Sequence, residues 1–288
     1  MNWIMGLVHA IDYIENNLDE KLDYEEIARQ AYSSSYHFMR VFSILCGYTL
    51  GDYIRNRRLT LAGTELANSG AKVIDVAVKY GYDSPDSFSR AFNRFHGVSP
   101  SVARMGGVAL RSFSRIHLNL SLEGGGSLTY RIEEKEAHVF TGYSKRFEGV
   151  PGNRGEQERD FLMQTRDNQN RLKELSGIAT ELFTIITNIN DEGYDYYIAS
   201  LLPAHNQAEA GDIFEHISIP ASTYAVFVTE PDFQPGAHLT LRKRIVSEWL
   251  PSSGYVLAES PEIAYVRWYE GEARKVNNIE LWVPITKG

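Results

Sequence analysis

Apolar positions in the first third of the chain recur three or four residues apart. Val8, Ile11, Ile14 and Leu18 fall on one helical face. Asp23, followed by Tyr24-Glu25-Glu26-Ile27-Ala28, reads as an N-cap residue with acids in the first turn. Ser34, Asp52 and Ser84 mark further helix starts. Residues 1–105 thus read as a run of short helices. Gly106-Gly107 and Gly124-Gly125-Gly126 interrupt the pattern with a boundary composition. From Leu128 onward the pattern changes. Strand-like runs at 137–143, 194–201, 224–229, 263–269 and 279–285 alternate with helical stretches near 158–175 and 237–250, the mixture of an α+β domain.

The helical part repeats itself. A fifty-residue shift aligns Ser34 with Ser84, Phe38 with Phe88, Arg40 with Arg90, Phe42 with Phe92 and Gly47 with Gly97. A short helix precedes each block, at 24–31 and 73–80. The unit is therefore helix, tight turn, helix, Gly, used twice. A weaker repeat, carried by element order, relates 136–140 to 222–227 as strands, each followed by a helix and a closing strand. The fold class expected is multidomain: an all-α double helix-turn-helix domain at 1–107, a linker at 108–126, and at 127–288 an α+β domain of two pseudo-repeated strand-helix-strand-strand halves.

Composition changes this picture little; charge changes it more. The chain has 288 residues, 43% of them hydrophobic, and one cysteine, Cys46, so no disulfide framework exists. No apolar run reaches the ~18 residues of a membrane span, and the N-terminus lacks a signal peptide's basic start. Cytoplasm is the expected compartment. The net charge of -8 is unevenly spread: residues 29–115 hold 12 Lys and Arg against 5 acids, while 116–288 hold 16 against 25. A basic stretch of that size can follow a phosphate backbone while acidic neighbours face away.

In a helix-turn-helix the second helix lies in the major groove, so it needs an apolar inner stripe and a polar outer face. Residues 84–95 supply both. Phe88, Ala91, Phe92 and Phe95 form the stripe; Ser89, Arg90, Asn93 and Arg94 face elsewhere. Pro85 suits a helix start and Gly81 suits the turn. In the first unit Phe38, Val41 and Phe42 turn inward, with Ser35, Tyr36, Met39 and Arg40 outward. A lone arginine is as readily an ion-paired surface residue; within a duplicated unit, Arg40 and Arg90 become candidate readers of guanine.

The stretch IDVAVKYGYDSPDSFSRAFNRFHGVSPSVAR at 74–104 resembles the signature of the AraC/XylS family of regulators, and 22–62 resembles the family's first unit. The resemblance implies that Tyr36, Met39 and Arg40 face bases in the first unit and Ser89 and Arg90 in the second, with Ser35 and Asp86 nearby. Ser34, Ser84, Arg55, Arg58 and Arg94 become candidates for phosphate contacts, which position without specifying. It also implies double-stranded promoter DNA and RNA polymerase as partners, with the chain acting as a monomer or weak dimer. The family often carries amide side chains where this chain has Met39 and Pro85, so its DNA preference should differ. It usually has Gly in the first turn, where this chain has Tyr32, and a different turn shape is expected there because positive φ strains a non-Gly residue.

An acidic α+β duplicate after the DNA-binding part resembles the Rob type of regulator with its GyrI-like sensor domain. NNIELWVPI at 277–285 is similar to that domain's closing strand, and ISIPASTYAVF at 217–227 to its central strand. Glu280 and Trp282, two apart in a strand, share a face. A carboxylate in so apolar a strand must be paired, hydrated or opposed by a cation; Arg267 and Lys275 are local partners for it. The resemblance implies instead that Glu280 meets a small hydrophobic or cationic effector, with Tyr143, Tyr197, Phe227, Tyr255, Trp268 and Trp282 as candidate aromatic contacts. Core packing competes for each of these singly. A hydrolase or drug-sequestering protein acting through Glu280 is the alternative function. No other catalytic constellation stands out, and no metal or cofactor is expected.

Overall fold

The computed structural model describes residues 3–117, 127–152, 155–211, 213–229, 236–269 and 272–288. Its contacts divide the chain into a helical unit and a sheet unit. No helix among the described residues is long and apolar enough to cross a membrane.

The helical unit holds α1 (Trp3–Asn16), α2 (Tyr24–Gln30), α3 (Ser35–Cys46), α4 (Leu50–Ser69), α5 (Val73–Lys79), α6 (Pro85–His96) and α7 (Pro100–Met105). Local chemistry starts these helices. Asp23 caps α2 through Glu25 N, Thr49 caps α4 through Asp52 N and Ser84 caps α6 through Ser87 N. Phe88 and Phe92 of α6 pack with Leu59, Ala62 and Leu66 of α4 and Val76 and Ala77 of α5. Ala91 and Phe95 are partly buried against the same cluster.

Part of the expected linker belongs to this unit. Leu110 packs on the α4–α6 cluster. Phe113 N donates to Thr60 Oγ1 at 2.9 Å, Arg57 Nη1 donates to Phe113 O at 2.7 Å, and Ile116 N donates to Tyr53 Oη at 3.3 Å. Arg57 in turn pairs with the half-buried Glu15 of α1 at 2.8 Å. A boundary drawn from glycine content therefore falls too early: Phe113 and Ile116 are bonded to side chains of α4, and the rest of the expected linker, 118–126, lies outside the described residues.

The sheet unit contains β1 (Tyr130–Lys135), β2 (His138–Glu148), α8 (Gly155–Gln164), α9 (Arg166–Ser176), β3 (Glu181–Thr187) and β4 (Gly193–Ser200). The second half follows with α10 (Ala204–Ala210), β5 (Glu215–Ile219), β6 (Ser222–Val228) and α11 (Ala237–Arg244), which passes through a π turn into α12 (Leu250–Ser253), then β7 (Tyr255–Leu257), β8 (Glu262–Tyr269) and β9 (Glu272–Lys287). The strands form one sheet ordered β1-β6-β9-β8-β3-β4-β2-β5, with β7 on β9. In the first half two strands precede the helices and two follow; in the second, two precede α11 and three follow, and the halves meet at β3 and β8.

The edges exchange partners. β1 of the first half pairs with β6 of the second, and β5 of the second pairs with β2 of the first. One antiparallel register runs through both pairs, from Lys135↔Ser222 of β1 and β6 to His138↔Ile219 of β2 and β5. Counting equally from His138 and Ser222 makes Ser144 the counterpart of Val228. Their sheet partners are Tyr197 and Glu280, so those two residues hold equivalent places in the halves.

Strand alternation gives the sheet two unlike faces. On one, Phe161 of α8, Leu172 and Leu175 of α9 and Ala210 of α10 pack with Phe147, Leu182, Tyr194 and Ile198. The cluster on the other face comprises Phe140, Phe183, Ile185, Ala199, Ile219, Tyr224, Val226, Ile263 and Trp282, all from strands. No helix among the described residues contributes to it.

Candidate functional site

The two helix-turn-helix units have closely related turns. Ser33 N donates to Ala28 O and Tyr82 N donates to Ala77 O, both at 3.0 Å. Tyr32 and Gly81 adopt positive φ, +54° and +79°. The expected change of turn shape at Tyr32 does not occur; the chain accepts the strained conformation there. The second turn is one residue longer, since these equivalents are 49 apart whereas Ser34 and Ser84 are 50 apart. Both serines cap the helix that follows. Ser34 Oγ accepts from His37 N at 3.3 Å and Ser84 Oγ accepts from Ser87 N at 3.1 Å.

On α6, Asp86, Arg90, Asn93 and Arg94 are exposed and Ser89 is half-buried, an open polar face opposite Phe88 and Phe92. On α3, Ser35, Tyr36 and Met39 are half-buried. Arg40 departs from expectation: it is buried, at 6% exposure, whereas its counterpart Arg90 is open. Helical periodicity assigns a residue to a face but does not say what lies against it. Arg58 departs as well. Its Nε donates to Leu18 O at 2.8 Å and its Nη2 donates to Glu20 O, so the guanidinium ties α4 to the segment after α1 instead of facing outward. Arg55 is exposed and pairs with Asp52 at 3.0 Å. Buried His96 bonds Leu59 O through Nε2 at 2.9 Å, and its ring lies 2.8 Å from where a Gly63 Cβ would stand. That close approach sets how α6 sits on α4.

The sheet unit holds a second constellation. Glu280 is buried, yet three donors reach it: Arg131 Nη2 at 2.9 Å, Arg267 Nη2 at 3.0 Å and Trp282 Nε1 at 3.3 Å. The carboxylate is thus satisfied by local cations, one of which, Arg267, is the partner the sequence offered. The side chain of Lys275 lies outside the described residues. Arg131 also pairs with Glu133, as does Lys135. Lys135 Nζ lies 4.2 Å from the Trp282 ring centroid. Phe183 stacks on Tyr265 at 4.5 Å, and the Arg267 guanidinium lies 4.4 Å from the Tyr265 centroid. Burial of both arginines opposes their charge, but the carboxylates and hydroxyl beside them outweigh it and hold both pKa values up. Burial, reinforced by a hydrogen bond to Glu181, raises the Tyr265 hydroxyl.

Of the predicted aromatic contacts, only Trp282 and Tyr197 share Glu280's face. Tyr143 packs on Phe161 and Phe214 and donates to Thr165 Oγ1 at 2.9 Å. Phe227 and Tyr255 both meet Trp249, at 5.1 and 6.1 Å. Trp268 joins the α8–α10 core beneath Lys173. These four belong to the helical side, because each has the opposite strand parity or precedes the shared strands. Missed were Phe183, Tyr224, Tyr265 and Arg131. Parity counted from Ile263 and Trp282 would have found Tyr265.

A family model described as a helix-turn-helix domain matches residues 27–106, and one described as an integron-associated effector binding protein matches 131–285. The chain is 41% identical over 93 residues to the HTH-type transcriptional activator AarP of Providencia stuartii, covering 32% of this chain and 69% of AarP. It is 37% identical over 94 residues to the regulatory protein SoxS of Escherichia coli (strain K12), covering 33% of this chain and 88% of SoxS. A solved structure of SAV2435 bound to tetraphenylphosphonium is 15% identical, covers 55% of this chain and 94% of its own, and superposes with a TM-score of 0.42.

Proposed function

Since the chain belongs to the AraC-type helix-turn-helix regulators, and its C-terminal half to the integron-associated effector-binding family, it is a DNA-binding transcription regulator with an effector-binding domain, and we propose that the effector lies on the helix-free sheet face around Trp282 while α6 provides the principal DNA-reading surface. The observation that carries the effector assignment is a buried, fully engaged carboxylate amid aromatic rings that no described helix of the sheet unit covers. Polar anchors within an apolar lining are what a small-molecule site needs. On the DNA side, Ser89 and Arg90, with Asp86 nearby, face bases, and Arg94 and the cap hydroxyl of Ser84 face phosphates. Ser34, Ser35, Tyr36, Met39 and Arg55 form a second, weaker contact, and RNA polymerase is the remaining macromolecular partner. No hydrolytic step is assigned to Glu280, whose oxygens accept from Arg131, Arg267 and Trp282.

Calorimetric ligand screening of the full chain and of Trp282→Leu, together with DNA binding with and without the hit, tests this reading. A hit that changes DNA affinity and is lost in Trp282→Leu supports it. A hit retained by Trp282→Leu but lost in Tyr143→Phe would place the site on the helical side and overturn it.

A further inference from the structure

We infer that the effector face selects a planar aromatic ligand bearing a hydrogen-bond acceptor, best a carboxylate, held by Arg131 and Arg267; the inference rests on the effector face proposed above.

Glu280, Trp282 and Tyr265, the groups there that would welcome a cation, each already have one. Both oxygens of Glu280 accept from arginines, and its second oxygen also accepts from Trp282. The Trp282 ring carries Lys135, and the Tyr265 ring is taken up by Phe183 and Arg267. A cationic ligand reaching Glu280 must displace a guanidinium from a buried carboxylate, an exchange of like for like that gains little. Three cations, Arg131, Lys135 and Arg267, stand against three acids, Glu133, Glu181 and Glu280, so the long-range field favours neither sign. Short-range donors then decide. A guanidinium has five N–H donors in a planar fork. Each arginine commits its Nη2 to Glu280, Arg131 also gives its Nε to Glu133, and both side chains stay partly exposed, at 43% for Arg131 and 37% for Arg267, with N–H donors to spare. What they present beside the aromatic floor is donor edge, the geometry that binds carboxylate in two parallel bonds.

Entry for the ring is over Trp282. Its cover, Lys135, is a long flexible side chain that can swing aside while keeping its pairing with Glu133. A ligand ring replacing the ammonium stacks on the indole, and its acceptor then reaches the guanidiniums that flank Glu280.

Three ligands of one shape test this by calorimetry on the full chain at pH 7: 1-naphthoate, 1-naphthamide and 1-naphthylmethylammonium. Naphthoate is expected to bind roughly tenfold more tightly than the amide, and the ammonium most weakly. Arg267→Gln should bring naphthoate down to the amide's affinity and leave the amide unchanged. Arg267→Lys should recover part of the difference. If Arg267→Gln does not fold, Arg131→Gln on the edge strand gives the same comparison. Equal binding of naphthoate and amide, or tightest binding of the ammonium, overturns the carboxylate assignment while leaving the aromatic face in place. Failure of all three to bind a chain that still binds DNA overturns both.

Discussion

Tyr32 and Gly81 stand at the same point of the two helix-turn-helix turns, both with positive φ, and only one of them is suited to it. The left-handed conformation costs an L-residue ~1–2 kcal/mol, and glycine's extra freedom in the unfolded chain returns ~0.5–1 of that. Tyr32 is 68% exposed, so its ring adds little packing. Tyr32→Gly is expected to raise stability by about 0.5–1 kcal/mol in thermal denaturation. Gly81→Ala should lower it by about 1–2 kcal/mol, because a Cβ there also lies 2.8 Å from Arg58 Nη1.

Two arginines that look alike in sequence should behave differently. Arg58→Ala removes the bonds to Leu18 O and Glu20 O and is expected to lower the melting temperature while leaving the salt dependence of DNA binding unchanged. Arg94→Ala should leave the melting temperature alone and reduce the slope of log affinity against log salt by ~0.9, the value for one lost phosphate contact. An unchanged slope for Arg94→Ala would remove it from the DNA face.

Gly63→Ala tests the seat of α6. The added methyl meets the His96 ring, whose Nε2 is held by Leu59 O, so the ring has little room to yield. Overpacking of this kind costs ~1–3 kcal/mol. The expected result is a lowered urea midpoint with DNA binding weakened beyond what the unfolded fraction accounts for.

Acid should weaken the sheet unit in a defined window. Burial, with Arg242 close by, lowers the His238 pKa from 6.5 to about 4. The unfolded chain therefore takes up this proton first. The contribution is complete above about pH 6.5 and is lost progressively as pH falls from 6.5 toward 4. His238→Leu should flatten the fall in denaturation free energy across that window. Glu15 acts lower: burial raises its pKa, but bonds from Arg57 and Tyr53 outweigh this and leave it below 4.5. Its contribution is present above pH 4.5 and fades only beneath it.

The helical unit was legible because its signals are local. The spacing of Phe88 and Phe92, the cap at Ser84 and the glycine at 81 lie within one or two turns of what they specify. The same locality hid Arg58, whose partners are about forty positions away. In the sheet unit the shared face of Glu280 and Trp282 followed from alternation alone. Choosing aromatics to join them needed register, which no single strand contains. Tyr143 and Phe227 are strand aromatics as plausible as Tyr265 until the pairing shows which way each points. The edge strand Tyr130–Lys135, which brings Arg131 to Glu280, is charged at four of its six positions and gives no apolar run to notice.

The equivalence of Tyr197 and Glu280 has a consequence for recognition. Two identical half-domains joined as a symmetric pair would show a ligand the same wall twice, and a molecule could sit in either of two opposite orientations with equal energy. Joining the halves in one chain frees the related positions to diverge. Here one position carries a tyrosine and the other a carboxylate flanked by guanidiniums, so a ligand on the proposed effector face would meet unlike groups at its two ends.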